Sequence, residues 1–455
     1  MIFYSINPAT DERLSEVPGT SATEQEAILA HAATAAQAFG QQPLTERTTL
    51  LDNVAATLGE NRDAYARLIT EEMGKPITEA RAEIDKCALA CRHYAAHAAR
   101  YLGDEAVDLG AAAGRVAFQP LGVILAIMPW NFPFWQVFRF AAAALVAGNT
   151  AVLKHAACVP RTALAIGDVF RRAGASEGVF QTLLVPSTAI APIIRDARIA
   201  AVTLTGSEAA GRSVAGVAGS ALKKTVLELG GSDAFIVRAD ADLERAAAAA
   251  VASRYQNSGQ SCIAAKRLIV VGDAAEPFLE RFVARAAQLK SGDPLAEDTQ
   301  LGPLARPDLR SFLHGQIEDA LAAGARPLLG CTLPAGRGAF YPASVLDGIR
   351  RGMRVYSEET FGPVALVMRA RDDDEAVRLA NDNPYGLGAS IWTRDTRTGE
   401  RMARALSCGA AFVNAIVRSD PRLPFGGVKA SGYGRELAAY GPREFANIKT
   451  LWIES

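Results

Sequence analysis

Between residues 121 and 219, short apolar runs alternate with longer amphipathic ones, and this rhythm constrains the fold more than any other feature of the chain. Residues 121–128, 150–154, 180–185 and 200–204 are short and rich in Val, Ile and Leu, as buried strands are. Residues 134–147, 161–173, 190–196 and 207–219 repeat apolar side chains at helical spacing. Strands alternating with helices predict a parallel, doubly wound sheet that binds ligands at the carboxyl ends of its strands.

The flanking sequence extends the α/β pattern. Residues 24–39, 44–58, 63–72 and 77–101 read as helices, with Gly74-Lys75-Pro76 as a break. Residues 103–119 alternate briefly, as a small hairpin does. After Leu229-Gly230-Gly231 a second set of units begins, which puts a domain boundary near Gly230. Its strands are expected at 234–237, 268–271 and 364–369, and its helices at 243–255, 276–289, 311–323, 374–381 and 398–406. Residues 444–453 alternate like an edge strand suited to joining another subunit's sheet.

A chain of 455 residues is too long for one simple core. A net charge of −1 courts neither nucleic acid nor an acidic membrane. Six cysteines in this length make no disulfide framework, and the first residues lack the pattern of a secretory leader. The longest apolar run, 140–148, is too short to span a bilayer, so a cytoplasmic protein is expected. Cys87, Cys91, His93 and His97 resemble a metal cluster, but two residues of helix turn about 200°, placing the cysteines and the histidines on different faces. No metal site is expected.

Polar residues gather at predicted strand ends. Asn131 stands in Pro129-Trp130-Asn131-Phe132-Pro133, where two prolines stiffen the turn and the amide can donate to an oxyanion. Lys154 ends the second strand, within reach of a ribose or phosphate. Gly206 and Ser207 open a helix whose free N–H groups suit a pyrophosphate, although the run is not the G-x-G-x-x-G fingerprint. Glu228, beside Gly230 and Gly231, can act as a base through one water. Cys262 lies in Gly259-Gln260-Ser261-Cys262, between a helical stretch and a strand, where glycine lets backbone crowd a reacting atom. A lone cysteine is more often a small buried hydrophobe. Together, however, a thiol, an amide donor, a carboxylate base and an anion-binding helix end are what oxidation of an aldehyde to an acid requires.

The set resembles the NAD(P)-dependent aldehyde dehydrogenases over nearly the full length. Further matching motifs are Leu153-Lys154, Leu204-Thr205-Gly206-Ser207, Glu228-Leu229-Gly230-Gly231, Glu358-Glu359-Thr360-Phe361-Gly362-Pro363 and Pro424-Phe425-Gly426-Gly427. The resemblance implies Cys262 as nucleophile, Glu228 as base, and Asn131 with the Cys262 backbone N–H as the oxyanion site. It implies Trp130, Lys154, Gly206, Ser207, Glu359 and Phe361 around NAD or NADP. It also implies a Rossmann-type cofactor domain (1–104 and 119–229), an α/β catalytic domain (230–425) and a small β oligomerisation element (105–118 and 440–455), hence a homodimer or homotetramer. Ala157 stands where many NAD-preferring members carry a glutamate, which removes a charge that repels a 2′-phosphate. Lys154 and His155 are the nearby basic residues, and the preference stays open.

Arg139, eight residues after Asn131, matches an arginine that meets the substrate carboxylate in succinate-semialdehyde dehydrogenases. The alternative is an arginine held in a salt bridge. A second arginine common in those enzymes is replaced by Gln256, and Arg418, Ser419 or Arg422 are candidates to make up the contact. The wording resembles the shorter bacterial succinate-semialdehyde dehydrogenases, so the expected substrate is succinate semialdehyde or a similar short ω-semialdehyde. The rival readings are a dehydrogenase for a non-carboxylated aldehyde, a CoA-acylating enzyme, and a non-catalytic structural protein on the same fold.

Overall fold

The computed structural model describes residues 1–110 and 112–454. Ala111 and Ser455, both inside the expected oligomerisation element, lie outside the described residues.

The alternating region folds into a six-stranded sheet in the order Gly432–Tyr433, Lys224–Glu228, Ile199–Thr205, Val123–Met128, Thr150–His155, Phe180–Leu183. All its neighbours run parallel except Gly432–Tyr433, which is antiparallel to Lys224–Glu228. Register brings the site residues to one edge: Met128 pairs with His155, and Thr205 with Glu228. A second sheet of seven strands runs Arg326–Leu329, Ser344–Asp347, Val364–Ala370, Ala265–Val271, Asp233–Val237, Gly388–Trp392, Ala410–Val413. Only Arg326–Leu329 is antiparallel in it. The two sheets are therefore built from sequence on either side of Gly230, apart from the late strand Gly432–Tyr433.

Local chemistry explains the element ends. Ser21 and Glu24 form a reciprocal capping box at the start of helix Ala22–Gln41. Gly74, at φ 79°, ends helix Arg62–Met73 in the left-handed conformation that glycine adopts most cheaply. Pro133 opens helix Pro133–Val146, in which every residue is buried. A helix apolar on all sides belongs inside a core, and this one lies under the first sheet against helix Ile77–Leu102.

Helix Ile77–Leu102 buries Cys87 and Cys91, while His93 and His97 stack on each other at 4.3 Å on its half-buried side. The tail strand Ala446–Ile453 pairs with Ala112–Pro120 of its own chain, from Ala446 opposite Pro120 to Ile453 opposite Ala113. That pairing satisfies one side of the tail at home and leaves the other side, and strand Glu105–Leu109, as open edges. Val107, Ile448 and Trp452 are exposed there. The N-terminal hairpin Ile2–Ile6 with Arg13–Pro18 was not foreseen from sequence. Among the described residues no helix is long and apolar enough to cross a membrane.

Candidate active site

A cleft of about 560 Å³ opens at the carboxyl edge of the six-stranded sheet, and Trp130, Asn131, Gly206, Ser207, Cys262, Glu359 and Phe361 all line it. They reach the cleft from four separate segments, 130–131, 206–207, 262 and 359–361, so the backbone of those segments sets the geometry.

Cys262 follows a tight, unusual loop. Asn257 and Ser258 hold φ of 52°, and Gly259 follows at 74°. Consecutive left-handed residues cost energy unless side chains hold them. Here Asn257 donates from Nδ2 to Asn131 O at 2.7 Å and to Gln260 O at 3.1 Å. Its own N–H is accepted by Glu79 Oε2 at 2.7 Å. Asn131 Nδ2 donates to the same Gln260 carbonyl at 3.1 Å, which leaves its second N–H available. Asn131 and the loop of Cys262 thus come from opposite sheets and share one carbonyl. Asn257 and Glu79 were missed from sequence, and only their positive-φ loop and distant pairing reveal them.

Gly259 admits no side chain. A Cβ there would lie 2.2 Å from the carbonyl oxygen of Gly362, on backbone already at positive φ. Gly259→Ala is expected to lower the thermal midpoint by several degrees and to cut titratable active thiol by more than half. Differential scanning fluorimetry and thiol titration check this.

The thiol of Cys262 is pushed up to about 12, chiefly by burial, while Lys266 and Arg139 pull it back and Glu359 and Glu228 add to the rise. Lys266, fully buried, donates to the carbonyls of Ser261 at 2.7 Å and Cys262 at 2.8 Å and pairs with Glu359 at 3.0 Å. Glu359 also accepts the Gly231 N–H at 3.1 Å. The two glycines after Glu228 make this closeness possible. A Cβ on Gly230 would meet Glu359 Oε2 at 2.6 Å, and one on Gly231 would meet the Cys262 carbonyl at 2.5 Å.

Glu228 is buried at the end of its strand, and among the described residues neither of its carboxylate oxygens has a hydrogen-bond partner. Burial first, and Glu436 with it, push it up to about 8 against the opposing pull of Arg139, Arg435 and the Gly427 backbone. Gly432 pairs with Glu228 in the sheet, which is how Glu436 comes close. Sequence reasoning overlooked Glu436, because only this late antiparallel strand puts it beside Glu228.

Arg139 is 2% exposed and ion-paired with Glu436, donates to Thr205 Oγ1 at 3.3 Å, and lies 4.7 Å from the centre of the Phe425 ring. A buried guanidinium needs such a counter-ion. Arg139 therefore takes the salt-bridged alternative. Arg418 is exposed, Arg422 pairs with Asp420, and Ser419 is buried, accepting from Lys86 Nζ at 2.7 Å.

The remaining residues bear on a cofactor. Trp130 and Phe361 meet edge to face at 5.8 Å across the cleft. Ser207 caps helix Glu208–Ser220 by accepting the Ala210 N–H, leaving the other first-turn N–H groups toward the cleft mouth. An apolar cleft ending at a helix N-terminus, with an oriented carboxylate on the opposite wall, fits a dinucleotide: aromatic surface for a base, N–H groups for phosphate, Glu359 for a ribose. Lys154 is half-buried at its strand end beyond the lining of the cleft, and burial lowers it. His155 is not a basic partner. Its Nε2 faces the Pro133 carbonyl at 3.0 Å, its Nδ1 accepts the Ala156 N–H, and burial pushes it down to about 4, so the ring is neutral.

The profile of the aldehyde dehydrogenase family matches residues 2–451. The chain is 49% identical over 453 residues to a "Probable succinate-semialdehyde dehydrogenase [NADP(+)]" of Synechocystis, covering 100% of both. It is 50% identical over 456 residues to "Succinate-semialdehyde dehydrogenase [NADP(+)] 1" of Mycobacterium tuberculosis, again covering 100% of both. Among solved structures, the succinic semialdehyde dehydrogenase of Streptococcus pyogenes in complex with NADP+ superposes with a TM-score of 0.97 at 35% identity, covering 100% of each chain.

Proposed function

The chain belongs to the aldehyde dehydrogenase family, and from that premise we propose that it oxidises succinate semialdehyde to succinate with NADP+. The single observation that carries the reading is a thiol and an oxyanion donor lining one cleft, with a buried carboxylate at the adjoining strand end near enough to act on the thiol's charge. The relatives named above support the substrate and the cofactor.

The overall balance is aldehyde, NADP+ and water to carboxylate, NADPH and two protons. Cys262 Sγ adds to the carbonyl carbon, and its proton passes to water in the cleft as the bond forms, because burial disfavours a free thiolate. Asn131 Nδ2 and the Cys262 backbone N–H receive the oxygen that becomes negative. NADP+, when bound, supplies the acceptor for the hydride that departs this carbon. Trp130, Gly206, Ser207, Glu359 and Phe361 would hold it, with Lys154 toward the ribose. Glu228 takes a proton from the water that opens the resulting thioester, and the sulfur leaves as a thiolate that regains its proton from water. Ala157 supports NADP+, since no carboxylate there repels a 2′-phosphate.

Residues 1–104 and 119–229 are assigned to cofactor binding, 230–425 to catalysis, and 105–118 with 440–455 to oligomerisation. The open edges and exposed Val107, Ile448 and Trp452 support a homodimer or homotetramer, to be measured by sedimentation equilibrium. A panel of aldehydes with each cofactor, run with and without CoA, tests the reaction. The expected result is a kcat/KM for succinate semialdehyde with NADP+ at least tenfold above that with NAD+ or with butanal, and free succinate as product. Succinyl-CoA as product overturns the hydrolytic reading, and no reduced cofactor with any aldehyde overturns the enzymatic one.

A further inference from the structure

Helix Ile77–Leu102 presents two charged side chains one turn apart toward the start of helix Pro133–Val146. Glu83 Oε1 accepts the N–H groups of Phe134 and Trp135, at 2.8 and 2.9 Å, and so fixes the turn that follows Asn131. Lys86 stands three residues further along. Its Nζ lies 4.1 Å from the centre of the Trp135 ring and donates to Ser419 Oγ at 2.7 Å.

What Lys86 lacks among the described residues is a counter-ion. The carboxylates nearest it in charge, Glu83 and Asp420, are each taken, Glu83 by Lys75 and Asp420 by Arg422. Arg139 adds a like charge nearby, and with burial it pushes Lys86 down to about 8, burial having the larger effect. An ammonium has three donors, and Ser419 uses one. Ser419 accepts that hydrogen and keeps its own O–H to donate. A desolvated cation with spare donors, beside a buried hydroxyl and an aromatic face, is a seat for an anion. Arg139 cannot supply this, being spent on Glu436.

We propose that Lys86, with Ser419, receives the distal carboxylate of the substrate and sets the preference for an ω-carboxylated aldehyde. The proposal rests on the semialdehyde reading above. It replaces the expected arginine clamp by a lysine from a helix that carries none of the catalytic residues.

The test compares kcat/KM for succinate semialdehyde and butanal in the wild type, Lys86→Met and Lys86→Arg, with NADP+ saturating. The ratio of the two substrates is expected to fall about 10- to 100-fold in Lys86→Met, mainly through KM for the semialdehyde, the loss of a charge-assisted hydrogen bond. Lys86→Arg, which keeps the charge, is expected to restore at least half of that loss on a logarithmic scale. Inhibition by succinate should weaken in parallel in Lys86→Met. A wild-type preference for succinate semialdehyde that persists in Lys86→Met overturns the role of Lys86 and leaves the substrate reading intact. Equal use of both aldehydes by the wild type overturns the substrate reading itself. If Lys86→Met does not fold, Lys86→Arg and Ser419→Ala carry the test: an unchanged ratio in Ser419→Ala with unchanged succinate inhibition also overturns the proposal.

Discussion

Replacing Cys262 by alanine is expected to lower kcat by on the order of 10⁴-fold or more, because no other group can form the covalent adduct. Of the six cysteines, Cys87, Cys91 and Cys331 are buried, and Cys158 and Cys408 stand outside the cleft lining. The folded state should survive, since Cys262 is small and partly exposed, and NADP+ binding followed by protein fluorescence should persist. Because burial pushes the Cys262 thiol up to about 12, its thiolate fraction rises about tenfold per pH unit between pH 7 and 9. Inactivation of the wild type by iodoacetamide should follow that slope in the absence of cofactor. A plateau below pH 8 would mean that the thiol is already ionised and that proton removal during attack is unnecessary. Retention of more than one per cent of wild-type kcat in Cys262→Ala would remove the covalent route altogether.

Sequence made the first sheet legible because each of its parallel strands is a short apolar run bounded by turns, and its carboxyl edge follows from direction alone. Asn131, Gly206, Ser207 and Glu228 lie at or just beyond strand ends, so a one-dimensional pattern suffices to bring them together. Contacts between distant segments were not legible. Strand Gly432–Tyr433 is two residues long, too short for any periodicity, yet it carries Glu436 to Glu228 and to Arg139. That ion pair bears on the two readings of Arg139 that the sequence leaves open, since a residue's place on a helix does not show that a distant carboxylate meets it. His155 is similar, since its neutrality depends on the Pro133 carbonyl and on burial that a strand-end position does not reveal. Short strands such as Ser344–Asp347 and Ala410–Val413 escaped because runs of four residues fit helix, strand and loop alike.

Glu228→Gln should separate the two halves of the reaction. Gln keeps the size of the side chain but cannot take a proton, so acylation of Cys262 is affected less than opening of the thioester, which should slow by about 10²- to 10⁴-fold. Rapid mixing should then show a burst of close to one NADPH per active site followed by a slow phase, with acylated protein visible by mass spectrometry. The pH dependence carries a defined sign. Burial, the largest influence, and Glu436 raise Glu228 to about 8, so below that pH the group is mostly the neutral acid and cannot act as a base. Wild-type kcat should therefore climb as pH rises through about 8, and this limb should vanish in Glu228→Gln. Glu436→Gln removes a like charge from beside Glu228 and releases Arg139 to stabilise its anion, and both effects lower the Glu228 pKa. The rising limb should consequently move to lower pH in that variant. A limb that stays near 8 in Glu228→Gln belongs to another group, and a limb that moves to higher pH in Glu436→Gln would mean that Arg139 is held away from Glu228 by something other than the Glu436 carboxylate.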